Sequence, residues 1–363
     1  MSLDARSLLR LIVNSSPVIV HHWDTDGVVS AVTVARFVSG PASFIVPNFT
    51  YEADHGLLNL VRSALVDRDV LLVLDYNASP RALAALTSVA ASEGVPVVVL
   101  DHHVARYPRM AGLLYYNPAA DGDPEGLWPS AAHVAADAIG FYDPLLVAAS
   151  IYGDLQDEAV GNRVFRKYME EAGLDPVEDA GLPRDCSMQV WGAEAHADAK
   201  LIAGLAYELA YGAADPCQAL LSDPRLTNMR LEAEREVEEA VRSAEAVSEG
   251  PVRVVRVRTR LRVGGTVARR LSRLAQGVVV AVVEEEGSER VRIYVRGGEG
   301  FDPMAVYRAL SPAVHVGAKN QRGNKVVSLE VSRESADEIV KVIRDALEAH
   351  GAAQGGGQQE GRA

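Results

Sequence analysis

Cysteine is almost missing: Cys186 and Cys217 are the only two in 363 residues. That excludes a disulfide-built secreted scaffold and a thiolate metal cluster as organising principles. The pair has no ligand spacing and is expected to serve as small buried hydrophobes in a reducing compartment. Long apolar runs are missing too; none approaches the roughly 18 residues that would span a bilayer. The opening "MSLDARSLLRLIVNSSP" lacks the charged start, apolar middle and small-residue site of a signal peptide, so no membrane association and a cytoplasmic location are expected. No GxGxxG or Walker loop follows the first strand-like run, which speaks against a simple nucleotide-binding α/β protein. There is no internal repeat.

Positive charge is also short. The net charge is −13, against a uniformly basic nucleic-acid binder, but the balance is uneven. Residues 1–250 carry a net −19, whereas residues 251–350 hold 18 Lys+Arg against 12 Asp+Glu. An acidic first domain and a basic appendage are expected.

What is present is alternation. Apolar runs at Val18–Val20, Phe44–Val46, Val70–Leu74, Val97–Leu100 and Leu113–Tyr115 are separated by helix-like stretches such as "DGVVSAVTVARFV" and "SPRALAALTSVAAS", the latter with Ser79 as N-cap before Pro80. The fold expected is α/β: a parallel, doubly wound N-terminal domain over 1–160. A helical segment and connector over 161–250 follows, its final helix (230–250) running to Gly250–Pro251. A smaller α+β domain over 251–350, with helices near 266–276 and 335–349, and a Gly/Gln-rich disordered tail (351–363) complete the chain.

In such sheets ligands sit beyond the carboxyl ends of the strands, where the polar clusters fall. His22, Asp24 and Asp26 alternate after the first run and converge if the chain stays extended. Gly27 then opens a helix, a setting suited to an anion. Asp75 ends "DVLLVLD"; Asp101, His102 and His103 end "VPVVVLDHH"; Asp154 and Asp157 stand in "SIYGDLQDEA". Taken singly, an Asp at a strand end is a cap or turn former, and His21, His55, His133 and His350 read as surface or satisfied core residues. Four clusters at successive element ends are another matter. Their carboxylates would repel one another unless divalent cations held them.

The motifs "HHWDTDG", "LVLDYN", "DHH" and "GDLQD" resemble those of the DHH phosphoesterase superfamily, with its RecJ-like and NrnA-like nucleases, over residues 18–157. The resemblance implies two Mn²⁺ ions, with Mg²⁺ as substitute. One would take His22, Asp24 and Asp75; the other Asp26, Asp75, His102 and Asp154, with Asp75 bridging. It implies that Asp101 orients its neighbours and that His103 contacts the phosphate; it assigns Asp157 no role, and a helix cap or a supporting partner is an equal reading. Paired ions generate a nucleophilic hydroxide and neutralise phosphoryl charge.

For the substrate, Arg256, Arg258, Arg260 and Arg262 recur at every second position, sharing one face if all lie on a strand, with Arg269, Arg270 and Arg273 following. The stripe is either a solvated face or a track for a phosphate backbone. Gly317, Lys319, Asn320, Arg322 and Gly323 lie in a basic stretch read as a turn between two strands. It is either a plain hairpin loop or, by the resemblance, the backbone-gripping loop, though without that loop's usual Gly-Gly-Gly-His. The expected activity is exonucleolytic hydrolysis of single-stranded DNA or RNA. Alternatives are a short-oligonucleotide or cyclic-dinucleotide hydrolase and a scaffold subunit working with replication or repair proteins. Trp23 is expected to pack rather than stack on a base.

Overall fold

A computed structural model describes residues 11–105, 107–248, 252–275, 277–298, 301–321 and 324–356. The chain divides into two compact units, Met1–Glu232 and Ala233–Ala363.

In the first unit, β1 (Pro17–His21), β2 (Ser43–Ile45), β3 (Val70–Leu74), β4 (Val97–Leu100) and β5 (Leu113–Tyr116) form one sheet in the order β2-β1-β3-β4-β5. Every pairing is parallel. Alternate residues face two apolar clusters: Val18, Val20, Leu71 and Val73 on one side, Ile19, Leu72 and Leu74 on the other. Burial on both faces is why these strands read as unbroken apolar runs. Helices α1 (Thr25–Phe37), α2 (His55–Ala64), α3 (Pro80–Ser92), α4 (Ala131–Ile139) and α5 (Pro144–Leu155) start on side-chain caps. Asp24, Asp54, Ser79, Ser130 and Asp143 each accept from a backbone N–H in the first turn. With β1 between β2 and β3, the strand order reverses direction at β1/β3, where an open α/β sheet leaves a crevice.

Residues 156–223 are helical with breaks: a 3₁₀ turn (Gln156–Gly161), α6 (Arg163–Glu171), α7 (Gly181–Ala195), α8 (Ala199–Tyr207), a π turn (Glu208–Gly212) and α9 (Pro216–Ser222). Cys186 on α7 and Cys217 on α9 are buried, as expected, but they are not separate hydrophobes. The packing of α7 against α9 brings their Cα atoms to 5.6 Å, and they form a disulfide. Spacing in sequence, 31 residues, carried no sign of it. Helix α10 (Pro224–Arg242) stops well short of Gly250: the chain turns into a short strand, β6 (Glu245–Ala246), that pairs with β7.

The second unit carries a mixed sheet, β10-β11-β9-β8-β7-β6. Its strands are β7 (Val252–Thr259), β8 (Val278–Glu285), β9 (Arg290–Arg296), β10 (Val316–Gln321) and β11 (Asn324–Ser332). Only β7 and β8 run parallel, joined through α11 (Gly264–Leu274). Helices α12 (Pro303–Leu310) and α13 (Ala336–Gly356) complete it. Residues 351–356 of the expected disordered tail extend α13; the remainder lies outside the described residues. Among the described residues no helix is long and apolar enough to cross a membrane.

Candidate metal centre

The parallel register places three strand ends level. His21 pairs with Leu74 and Leu74 with Leu100, so His22, Asp75 and Asp101 emerge side by side at the carboxyl edge. The backbone N–H of His22 donates to the Leu74 carbonyl, and that of Asp75 to the Leu100 carbonyl.

The first cluster does not converge by strand alternation. β1 ends at His21, and Asp24 is the N-cap of α1, so Asp26 already sits in a helical turn. The result is a split. Asp24 Oδ1 accepts from Gly27 N–H at 3.0 Å while its Oδ2 lies 2.9 Å from His22 Nδ1. Asp26 points the other way: its Oδ2 and Oδ1 accept from the N–H groups of Ala131 (2.7 Å) and Ala132 (2.9 Å), at the start of α4. A helix N-terminus favours such a carboxylate. Asp26 Oδ2 also lies 3.3 Å from His102 Nε2.

Gly27 has a reason to be glycine that differs from the expected approach of an anion. A Cβ there would lie 2.6 Å from both the backbone carbonyl carbon and the Cβ of His22. The clearance is used by the protein's own backbone.

Asp75 is fully buried and adopts a left-handed conformation, φ 55°, which Asp tolerates better than most residues. This turns its carboxylate to the middle of the cluster. Oδ2 lies 3.6 Å from His22 Nδ1, and Oδ1 lies 3.5 Å from His102 Nε2 and 3.6 Å from His103 Nδ1. Asp154, near the end of α5, brings Oδ2 to 3.2 Å from His102 Nε2. Three overlapping groups result, each with donor atoms within 4.8 Å of one another: His22/Asp24/Asp75, Asp26/His102/Asp154 and Asp75/His102/His103. Each mixes imidazole nitrogen with carboxylate oxygen, a donor set that fits a divalent metal ion. Buried carboxylates so close together are costly without a counter-charge, and a cation supplies one.

Asp101 is an organiser. Its Oδ1 accepts from the backbone N–H of His102 (2.7 Å) and His103 (3.0 Å) and lies 2.8 Å from His103 Nδ1. Burial works to raise this carboxyl, but the His103 ring and the hydrogen bonds prevail and hold it below the usual carboxylate range. Asp157 accepts from the Tyr152 hydroxyl at 2.9 Å. Trp23 is buried, packed on Phe49, Tyr51 and His22.

The segment 117–132 adds residues that sequence reasoning missed. Asn117 Nδ2 donates to the His103 carbonyl at 2.8 Å, and the Trp128 carbonyl faces His102 Nδ1 at 3.2 Å. The one available signal was Ser130, a cap residue before the apolar run of α4.

In the second unit the arginine stripe does not hold its expected form. β7 ends at Thr259, so Arg260 and Arg262 lie in the bend before α11. Acids distant in sequence accompany all four. Arg256 meets Glu284 and Asp337, Arg258 meets Glu284 at 3.6 Å, Arg260 meets Glu236 at 3.7 Å, and Arg262 meets Glu285 at 3.9 Å. The expected basic turn is likewise mostly strand. Gly317, Lys319 and Asn320 pair in β10 with Ser328, Val326 and Lys325, and Gln321 pairs directly with Asn324. Arg322 and Gly323 lie outside the described residues.

The model of the DHH family, N-terminal domain, matches residues 17–155. No curated protein matches the chain. Among solved structures, the DHH domain of a member of the S1p family of ribosomal proteins is similar, with a TM-score of 0.61 and 12% identity over 94% of this chain and 88% of that one. RecJ in complex with Mn²⁺ from Thermus thermophilus aligns with a TM-score of 0.64 and 17% identity over 95% of this chain and 54% of that one. An exonuclease RecJ bound to manganese aligns at 0.56 and 18% identity, over 94% and 93%. At these identities the shared property is the fold.

Proposed function

We propose, from the match of the DHH family model to residues 17–155, that the protein is a metal-dependent phosphodiesterase acting on single-stranded or short nucleic acid. One observation carries the reading: Asp75, fully buried at the β1/β3 crevice, reaches toward both His22 and His102, so two ligand groups share one carboxylate.

In this reading His22 and Asp24 would hold one divalent ion, Asp26, His102 and Asp154 would hold the second, and Asp75 would serve both. When bound, such a pair of ions, Mn²⁺ by preference, activates water and neutralises charge on the phosphoryl group. The chain's own contribution is orientation. The N–H groups opening α4 fix Asp26. Asp101 faces His103 Nδ1 and orients the ring, the group assigned here to contact the phosphate. The strand ends bury the ligands, which strengthens each electrostatic contact. The basic 251–350 region supplies charge suited to a polyanion.

The test is direct. The protein is incubated with Mn²⁺ and single-stranded DNA or RNA blocked at either end, beside Asp75→Ala. Cleavage by the parent, its loss with EDTA and its loss in the variant are expected. An inert parent at every substrate length would overturn the hydrolase reading and leave a binding role.

A further inference from the structure

The geometry points to Asp123 as a positioning residue for the candidate centre, acting on His102 through the backbone carbonyl of Trp128. The inference rests on the reading of His102 as a metal ligand.

His102 Nε2 faces Asp26, Asp75 and Asp154 at once, so a modest ring rotation would spoil the arrangement. The other ring nitrogen sets that rotation. Nδ1 lies 3.2 Å from the Trp128 carbonyl. A carbonyl can only accept, so Nδ1 carries hydrogen and Nε2 is the atom available to a cation.

Trp128 lies in the irregular link between β5 and α4, where backbone is ordinarily mobile. Here it is tied. Asp123, 5% exposed, uses both carboxylate oxygens: Oδ1 accepts from Leu127 N–H at 2.9 Å and Oδ2 from Trp128 N–H at 2.6 Å. Its own carbonyl accepts from Gly126 N–H. Asn162 reaches the same loop from the start of α6, donating to the Gly126 carbonyl at 2.9 Å while its oxygen caps the helix. Pro129 restricts Trp128 to extended backbone, and the Trp128 ring stacks on His133 at 5.3 Å. Trp128 is thus gripped through N–H and ring, which leaves its carbonyl in one place for His102. Asp123 meets the two N–H groups with separate carboxylate oxygens.

The experiment is calorimetric titration of Mn²⁺ into the full chain, for the parent, Asp123→Ala and Asp123→Asn. Alongside it, the Nδ1–H signal of His102 is followed by NMR in histidine-labelled, metal-free protein, assigned through His102→Gln. Asp123→Ala is expected to weaken Mn²⁺ binding about 10–100-fold and to bring the Nδ1–H proton into fast solvent exchange. Asp123→Asn, with one acceptor oxygen left, should fall between. A folded Asp123→Ala that binds Mn²⁺ within about twofold of the parent and keeps the Nδ1–H signal, whatever its melting point, overturns the inference. A parent that binds no Mn²⁺ sinks the metal reading instead, and the Nδ1–H signal still decides whether Asp123 orients His102.

Discussion

Gly27 packs against the main chain of His22 so closely that an added Cβ would lie 2.6 Å from the His22 carbonyl carbon. Neither partner can yield cheaply: Gly27 is in the first turn of α1, and the His22 N–H is bonded to Leu74. Gly27→Ala is therefore expected to cost about 1–3 kcal/mol of stability and to shift His22 away from Asp24. Denaturant unfolding and Mn²⁺ titration check it; a variant that matches the parent in both would show that the backbone there gives way easily.

Removing the shared carboxylate should separate folding from metal binding. In the parent, Mn²⁺ at one hundred times its Kd adds about 2.7 kcal/mol of stability. Asp75→Asn relieves repulsion in the buried cluster, so its metal-free form should melt no lower than the parent. Mn²⁺ should then add less than about 1 kcal/mol to it. Thermal unfolding in EDTA and in Mn²⁺ reads both quantities, and full Mn²⁺ stabilisation of the variant would remove Asp75 from the ligand set.

Acid should weaken the first unit through His133. Burial pushes this imidazole down from 6.5 to about 4, and its Nδ1 meets the Tyr168 hydroxyl at 2.9 Å. The folded pKa is depressed, so the unfolded chain binds the proton first. Stability is full above pH 6.5 and declines as pH falls toward 4, by an amount on the order of 3 kcal/mol. Urea unfolding at pH 7.5 and pH 5 should show the decline in the parent and a flatter profile in His133→Gln; equal slopes would assign the acid sensitivity to other groups.

The arginines of β7 should contribute little to binding of a polyanion. Arg256 and Arg258 both meet Glu284, and Arg256 also meets Asp337. Removing one side chain that pairs with a phosphate lowers the salt slope of binding by about 1. The double change Arg256→Ala/Arg258→Ala is expected to move it by less than about 0.5. Measured single-strand affinity across a salt series decides, and a drop of about 2 would restore the stripe as a phosphate track.

Local chemistry was enough for the elements. Apolar runs marked all five strands of the first sheet, and β1, β3 and β4, buried on both faces, carry no polar interruption within the strand. Ser79 before Pro80 marked the start of α3. The residue types of the centre were legible as well, since carboxylates and imidazoles at successive strand ends have few structural reasons to recur. Direction was not legible. Alternation in the sequence suggested that His22, Asp24 and Asp26 point together, yet the helix beginning at Thr25 turns Asp26 onto the N-terminus of α4. The Trp128 carbonyl behind His102, the Cys186–Cys217 bond and the acids beside the β7 arginines all join residues far apart in the chain. A sequence carries periodicity and residue chemistry within a few turns of chain. Which distant groups meet is settled only when strand order and helix packing close the fold.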